Sequence, residues 1–352
     1  MPTKSIPILK LSQLIAGEAA DVFALLYQKE EQRTKDNKPF HRVGFRDATC
    51  DISFPLWNDS PHAEDCRIRW QIGSFYKLRC ALRETSFGPQ LEIHKIRETT
   101  EADSADGFDP DAFRPHTRFD PAEMFTELSA LAQARIADLA IRRLTQHLLM
   151  THREALLTLP AATKNHHAES GGWLEHVLSA TRNAVFFADR YAEHYPDLSP
   201  PLDKDLVVAG TILHDIGKLR ELEWRAEGPA YTEAGSVVGH VVQGRDMVRE
   251  AAAELTKRPA GGDDSADPPF ELVQEKLLRL EHIILSHQRL PEWGAPKPPM
   301  TPEAMLVHYA DDLDAKMNMI YHAFRDDKTP GHTTSKKNVL MQSFYRGTAS
   351  GR

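Results

Sequence analysis

Three cysteines in 352 residues, Cys50, Cys66 and Cys80, are too few and too odd in number for a disulfide framework, and no two form a C-x-x-C zinc pair. They read as packing thiols. No apolar run approaches the roughly 18 residues of a membrane span, and the opening MPTKSIPILKLSQL lacks the apolar segment and cleavage site of a secretory signal, so a cytoplasmic protein without membrane partners is expected. A basic excess is missing too. The net charge of −8 denies the chain as a whole the positive face on which nucleic-acid binders usually rely. That deficit is uneven: residues 1–98 hold 15 Lys and Arg against 13 Asp and Glu, a net of +2, which leaves −10 for the remainder. Part of the acidity sits in EADSADGFDPD (101–111) and GGDDSAD (261–267), which read as solvated loops. No solenoid-type repeat is found. What is present, 41% hydrophobic and 27% charged residues, is the balance of a soluble globular protein long enough for two domains.

Residues 20–98 alternate with period two in five short segments, DVFALLYQKEEQRT, PFHRVGFRD, TCDISFPLWND, GSFYKLRCALRETSFG and PQLEIHKIRE, separated by turn formers. Five such strands fit a small barrel. In HRVGFRD the alternation places Val43 and Phe45 on one face and Arg42, Gly44 and Arg46 on the other. Residues 99–120, rich in Asp, Pro and Ser, read as a linker. Thereafter the spacing of apolar residues is helical. PAEMFTELSALAQARIADLAIRRLTQHLLMTHREALLTL (121–159) opens with Asp120-Pro121, and helical stretches recur to about residue 327. KRPAGGDDSADPP (257–269) reads as a loop, and residues 328–352 as a tail in which VLMQSFYRG is apolar enough to dock.

Seventeen histidines are many for this length, and five successive helical stretches each offer a polar group within an apolar frame. They are His176 in LEHVL, His214 with Asp215 in TILHDIGKLREL, His240 in VVGHVV, His287 in ILSHQ and Asp311 in HYADDLD. Any one such histidine is more often a core residue bonded to a backbone carbonyl. Taken together, and with His214-Asp215 followed by Ile-Gly-Lys, they point to metal ligation: imidazole and carboxylate suit zinc, manganese, iron or cobalt, and a carboxylate can bridge two ions. A cation would also supply the counter-charge that a buried Asp215 requires. His62, His116, His194 and His332 lie in polar surroundings and suggest nothing.

These motifs resemble the HD superfamily of metal-dependent phosphohydrolases, with His240 and His287 matching its two-metal subgroup. HHAESGGWLEH (166–176), AGTILHDIGKLREL (209–222), YTEAGSVVGHVVQG (231–244) and ILSHQRLPEWGAPKPPMTPEAMLVHYADDLDAKM (284–317), preceded by a barrel, are similar to the YhaM family of 3′→5′ exoribonucleases. The resemblance implies a multidomain chain: an N-terminal all-β OB-fold barrel over 1–98, a linker over 99–120, and an all-α HD-domain helical bundle over 121–327. It further implies two divalent ions per chain, manganese favoured over Fe2+, Co2+ or Zn2+. His176, His214, Asp215 and Asp311 would surround one ion, and Asp215, His240 and His287 would serve the other. Lys218 would bind phosphate and aid catalysis. His167, and with less support His166, would contact substrate, donate a proton or serve as a cap; Gly171 and Gly172 would bring backbone to the substrate or form a turn. Single-stranded RNA is the favoured partner over DNA, with Arg42, Arg46, Trp57 and Phe87 as barrel contacts. One departure stands out: Gln288 occupies the place of a second histidine, followed by Arg289 and Leu290. Two other readings share the motifs, a phosphohydrolase of nucleotides or cyclic dinucleotides and a nucleic-acid-binding protein with a silent HD domain. Oligomeric state is not legible in the sequence.

Overall fold

A computed structural model describes residues 6–34, 36–85, 88–225, 228–257 and 269–347. Phe87 and GGDDSAD (261–267) lie outside the described residues. Two compact units are present, Met1–Pro115 with Trp224–Gly228, and His116–Glu223 with Pro229–Arg352.

The first unit is an antiparallel sheet of β1 (Ala19–Arg33), β2 (Pro39–Arg46), β3 (Asp51–Trp57), β4 (Phe75–Thr85) and β5 (Gly88–Glu98), in the order β3-β2-β1-β4-β5. The long β1 serves both neighbours, and a register shift between Leu26 and Gln28 bends it so that it pairs with β4 through its first half and with β2 through its second. β3 also approaches β5, which curls the sheet into a barrel, and a short helix, α1 (Ala63–Ile68), connects β3 to β4. This is the OB-like barrel topology. Its core is built by the expected alternation: Val43 pairs with Phe54 and Phe45 with Ile52, all buried. Phe45 is fully buried and meets the rings of Trp70 and Tyr76 edge-on at 5.8 and 6.3 Å. Replacing Phe45 by Ala removes this anchor, and we expect a loss of about 3–5 kcal/mol, read as a lower urea midpoint of the barrel transition.

The Asp- and Pro-rich stretch that reads as a linker carries two 3-10 turns, Glu101–Asp106 and Pro110–Phe113. Its aromatic residues pack on the sheet, Phe108 at 5.2 Å from Phe23 and Phe113 at 5.0 Å from Phe75. A composition dominated by Asp and Pro conceals two well-spaced phenylalanines.

The second unit is helical. The single helix expected over 121–159 is divided into α2 (Pro121–Arg135), α3 (Leu139–Thr151) and α4 (Arg153–Leu156). Asp120 caps α2 and Asp138 caps α3, its carboxylate accepting from the Ile141 N–H; a capping Asp inside an apolar pattern is the break that periodicity overlooks. Then follow α5 (Gly172–His194), α6 (Lys204–Leu213), α7 (Lys218–Glu221), the hairpin β6 (Leu222–Arg225) and β7 (Gly228–Tyr231), of which Trp224–Gly228 is counted with the first unit, α8 (Glu233–Val237), α9 (His240–Lys257), α10 (Gln274–Ser286) and α11 (Pro302–Asp326). α6 is the axis of the bundle. Leu206 to Leu213 are all buried, so the helix is enclosed on every side by α3, α5, α10 and α11. The tail does dock: Thr334 N–H donates to Phe344 O (2.9 Å), Arg346 N–H to His332 O (2.7 Å), and the Phe344 ring lies 6.1 Å from Phe324. No helix among the described residues is long and apolar enough to cross a membrane.

Candidate metal centre

The central helix α6 stops at Leu213, and the next residues, His214 and Asp215, begin the turn that leads to α7. A histidine at this position can turn its ring back on the helix. His214 Nδ1 donates to the free Thr211 carbonyl at 2.6 Å, which leaves Nε2 facing away from the helix. His287 repeats the device at the end of α10, where Nδ1 donates to Ile284 O at 2.7 Å. His240 is the first residue of α9, and Glu221 Oε1 accepts from both its backbone N–H (2.8 Å) and its Nδ1 (2.9 Å). His176, in the second turn of α5, is held through Nδ1 by Asp314 Oδ2 at 2.7 Å. Four imidazoles are thus each anchored by one nitrogen and present the other.

The presented atoms converge on Asp215. His176 Nε2 lies 3.3 Å from His214 Nε2, 3.3 Å from Asp311 Oδ1 and 3.8 Å from Asp215 Oδ2, and His214 Nε2 lies 3.5 Å from the same Asp215 oxygen. The other oxygen, Asp215 Oδ1, faces His240 Nε2 at 3.3 Å and His287 Nε2 at 3.6 Å. Asp215 therefore divides its two oxygens between two clusters. Bonds of about 2.1 Å to one ion would hold ligand atoms about 3.0 Å apart in an octahedron and about 3.4 Å in a tetrahedron, close to these spacings. Two of the atoms, Asp215 Oδ1 and His240 Nε2, are buried without a hydrogen-bond partner although they face each other. Orphaned lone pairs directed at one point are what a cation would satisfy. The residues present fit divalent metal.

The electrostatics agree. Asp215, Asp311, Asp314 and Glu221 are four buried carboxylates. Burial would raise the pKa of Asp215, but Lys218 and the imidazoles outweigh it and hold the carboxyl well below its ordinary value; Asp311 is lowered likewise, chiefly by His176 and His214 against its own burial. Burial lowers His214 to about 4. His176 goes the other way: burial opposes its charge, yet hydrogen bonds to Asp311 and Asp314 raise it to about 10, so that without metal a proton occupies this part of the cluster.

Other residues of interest take more varied places. Lys218 Nζ lies 3.0 Å from Asp215 Oδ2 and also donates to Ala161 O, so its ammonium is already engaged inside the site. Gln288 Nε2 donates to His287 Nε2 at 3.0 Å, engaging the lone pair that faces Asp215. His167 is buried behind His176 and also lines a second compartment next to the metal cavity. It is 3% exposed, with Nε2 at 3.1 Å from Asp314 Oδ2 and Nδ1 accepting from Asn318, so it braces the carboxylate that holds His176. His166 instead lines the cavity, with a buried, unpartnered Nδ1; burial pushes its pKa down to about 3. Gly171 and Gly172 form the turn into α5, where any Cβ on Gly172 would collide with the His167 carbonyl.

Three contributors escape a reading based on ligand types: Asp314, Glu221 and Trp173, whose Nε1 donates to the Asp215 carbonyl at 3.0 Å. Asp314 was traceable, being one helical turn from Asp311 on the same face. The cluster opens into a cavity of about 570 Å³ whose walls include Asp215, His240, His287, Asp311 and the tail residues Val339 and Leu340.

In the barrel unit, the outer face of β2 and β3 brings Arg42, Arg46 and Trp57 onto one surface. Trp57 is 45% exposed and lies 5.1 Å from Phe40, its cross-strand partner; Arg42 is exposed, and the Arg46 guanidinium lies over the Tyr27 ring at 5.9 Å.

Two solved structures similar to this chain are domains of replication protein A from Methanococcus maripaludis. A crystal structure of one domain has 14% identity and a TM-score of 0.22 and covers 27% of this chain and 98% of that chain. A solution structure of the second OB-fold domain has 19% identity and a TM-score of 0.20, covering 27% of this chain and 96% of that one. In the helical unit, residues 173–316 match the family model of the HD domain. This span holds all six converging residues, and the chain therefore carries an HD domain, with the metal-dependent phosphohydrolase chemistry that such a domain implies, behind an OB-like barrel.

Proposed function

We propose that the protein is a metal-dependent 3′→5′ exonuclease of single-stranded RNA, with manganese the favoured metal. The observation that carries the reading is the convergence of four imidazole nitrogens and the Asp311 carboxylate around Asp215, whose two oxygens address separate clusters. Divalent ions bound there supply a nucleophilic water at neutral pH and neutralise phosphate oxygens. The protein's own groups do the rest. His176, His214, Asp215 and Asp311 would hold one ion, and Asp215, His240 and His287 would hold the other. Lys218 fixes Asp215 and limits its negative charge toward an incoming phosphate. His166 offers its unpartnered Nδ1 to substrate within the cavity.

The substrate class is supported by the barrel. Trp57 with Phe40 offers a surface on which a base can stack, and Arg42 beside it can follow the backbone. The direction of attack is carried by the resemblance of the HD motifs to the YhaM family. The test is a 5′-labelled single-stranded RNA incubated with manganese. A ladder shortening one nucleotide at a time, halted by chelation, is expected. No shortening with manganese, iron, cobalt or zinc would sink the proposal. Turnover of mononucleotides or cyclic dinucleotides without any action on oligomers would transfer the function to small substrates.

A further inference from the structure

Beside the metal cavity lies a second compartment of about 590 Å³, and the two share the wall residues Asn165, His166, Met319 and Val339. Three lysines line the second space: Lys164, Lys328 and Lys337, all exposed. Its carboxylates are largely taken. Asp326 is held by Arg325 at 2.6 Å, Asp327 by Arg346 at 2.6 Å and by the N–H groups of Thr329 and Ser335, and Glu169 lies 3.9 Å from the buried His167. The lysines are not. Lys328 Nζ donates to Arg325 O at 3.3 Å, and Lys164 and Lys337 have no carboxylate partner among the described residues. Unneutralised ammonium groups therefore face a space that continues directly from the metal cluster, and His166, with its buried unpartnered Nδ1, stands at the junction. The far wall is the docked tail, which contributes Lys337 and Val339 and is held closed by the Arg346 contacts.

We propose that this compartment is a backbone-phosphate subsite, in which Lys164 and Lys337 bind the phosphates of a single strand one or two nucleotides upstream of the bond being cut. The inference rests on the polynucleotide reading of the metal site and names the path by which the strand leaves it. Compact ammonium charges at a cavity wall favour phosphate without regard to base, as a processive or sequence-tolerant enzyme requires.

The test compares wild type with the double variant Lys164→Ala/Lys337→Ala, and with Lys336→Ala as an exposed neighbour of equal charge that does not line the compartment. Binding of a short labelled oligoribonucleotide in EDTA is followed by anisotropy across a salt series, and hydrolysis of bis(p-nitrophenyl) phosphate with manganese reports the metal centre alone. The double variant should bind RNA roughly tenfold more weakly, and its log-log salt slope should flatten by about 1.4, the value for two phosphates of a single strand. Lys336→Ala should leave both unchanged, and the small diester should be cleaved at the wild-type rate by all three proteins. Unaltered affinity and slope in the double variant, with RNA still shortened by wild type, would overturn the subsite and leave the exonuclease reading standing. If wild type neither binds nor shortens RNA yet cleaves the small diester, both fall.

Discussion

Asp215→Asn should leave the protein with no more than one weakly held metal ion per chain and reduce phosphodiester cleavage by roughly a thousandfold or more, equivalent to about 4 kcal/mol of barrier. The reason is the division of its oxygens. Oδ2 belongs to the group formed with His176 and His214, and Oδ1 to the group formed with His240 and His287, so one substitution weakens both. Metal analysis after reconstitution reads the stoichiometry directly. The same change leaves the buried Lys218 ammonium without its carboxylate, and separating a buried pair typically costs about 3–5 kcal/mol. A companion variant, Asp215→Asn with Lys218→Met, removes both charges and should recover stability without recovering metal. Two ions retained in either protein at wild-type affinity would show that Asp215 does not bridge.

The second large effect is expected at Gly217, a residue that touches no candidate ligand atom. A Cβ at this position would run into the His240 carbonyl and lie 2.5 Å from the Gly244 nitrogen, so the start of α9 rests directly on the turn after Asp215. Gly217→Ala must drive α9 outward and draw His240 away from Asp215 Oδ1. We expect a stability loss of about 1–3 kcal/mol and a fall from two ions to one, the remaining ion held by His176, His214, Asp215 and Asp311. Calorimetric titration with manganese distinguishes the two sites. Two equivalent ions in the alanine variant would mean that the approach of α9 does not position the second cluster. This contact also gives a physical reason for the glycine in the His-Asp-Ile-Gly-Lys run.

Much of this arrangement is legible in the sequence. The five strands fall close to the segments that alternate in sequence; the period of two is clean in β3, whereas Val22 to Leu26 of β1 are all buried, so alternation locates that strand without describing its two faces. The histidines and aspartates in apolar frames do meet, because an apolar surround on a helix leaves a polar side chain no exit to solvent. Helix limits were harder. Asp138 and Gly239 interrupt continuous apolar patterns, and of the two options an apolar stretch leaves open, its interior or its end, His214, His240 and His287 take the helix end. The separate places of His166 and His167 were not legible for a related reason. Adjacent histidines in a loop look alike in sequence, whereas the backbone of residue 167, with φ of 46°, turns its ring toward Asp314 and leaves His166 to face the cavity.

By itself the chain determined where one unit gives way to another kind of secondary structure and which histidines and aspartates lie within apolar frames, since both follow from local periodicity and residue type. Only the tertiary structure decided which oxygen of Asp215 faces which imidazoles, that Asp314, Glu221 and two helix-end carbonyls aim those rings, and that the tail walls the cavity. Those outcomes depend on the meeting of segments far apart in sequence, and periodicity records the face a residue occupies without recording what lies opposite.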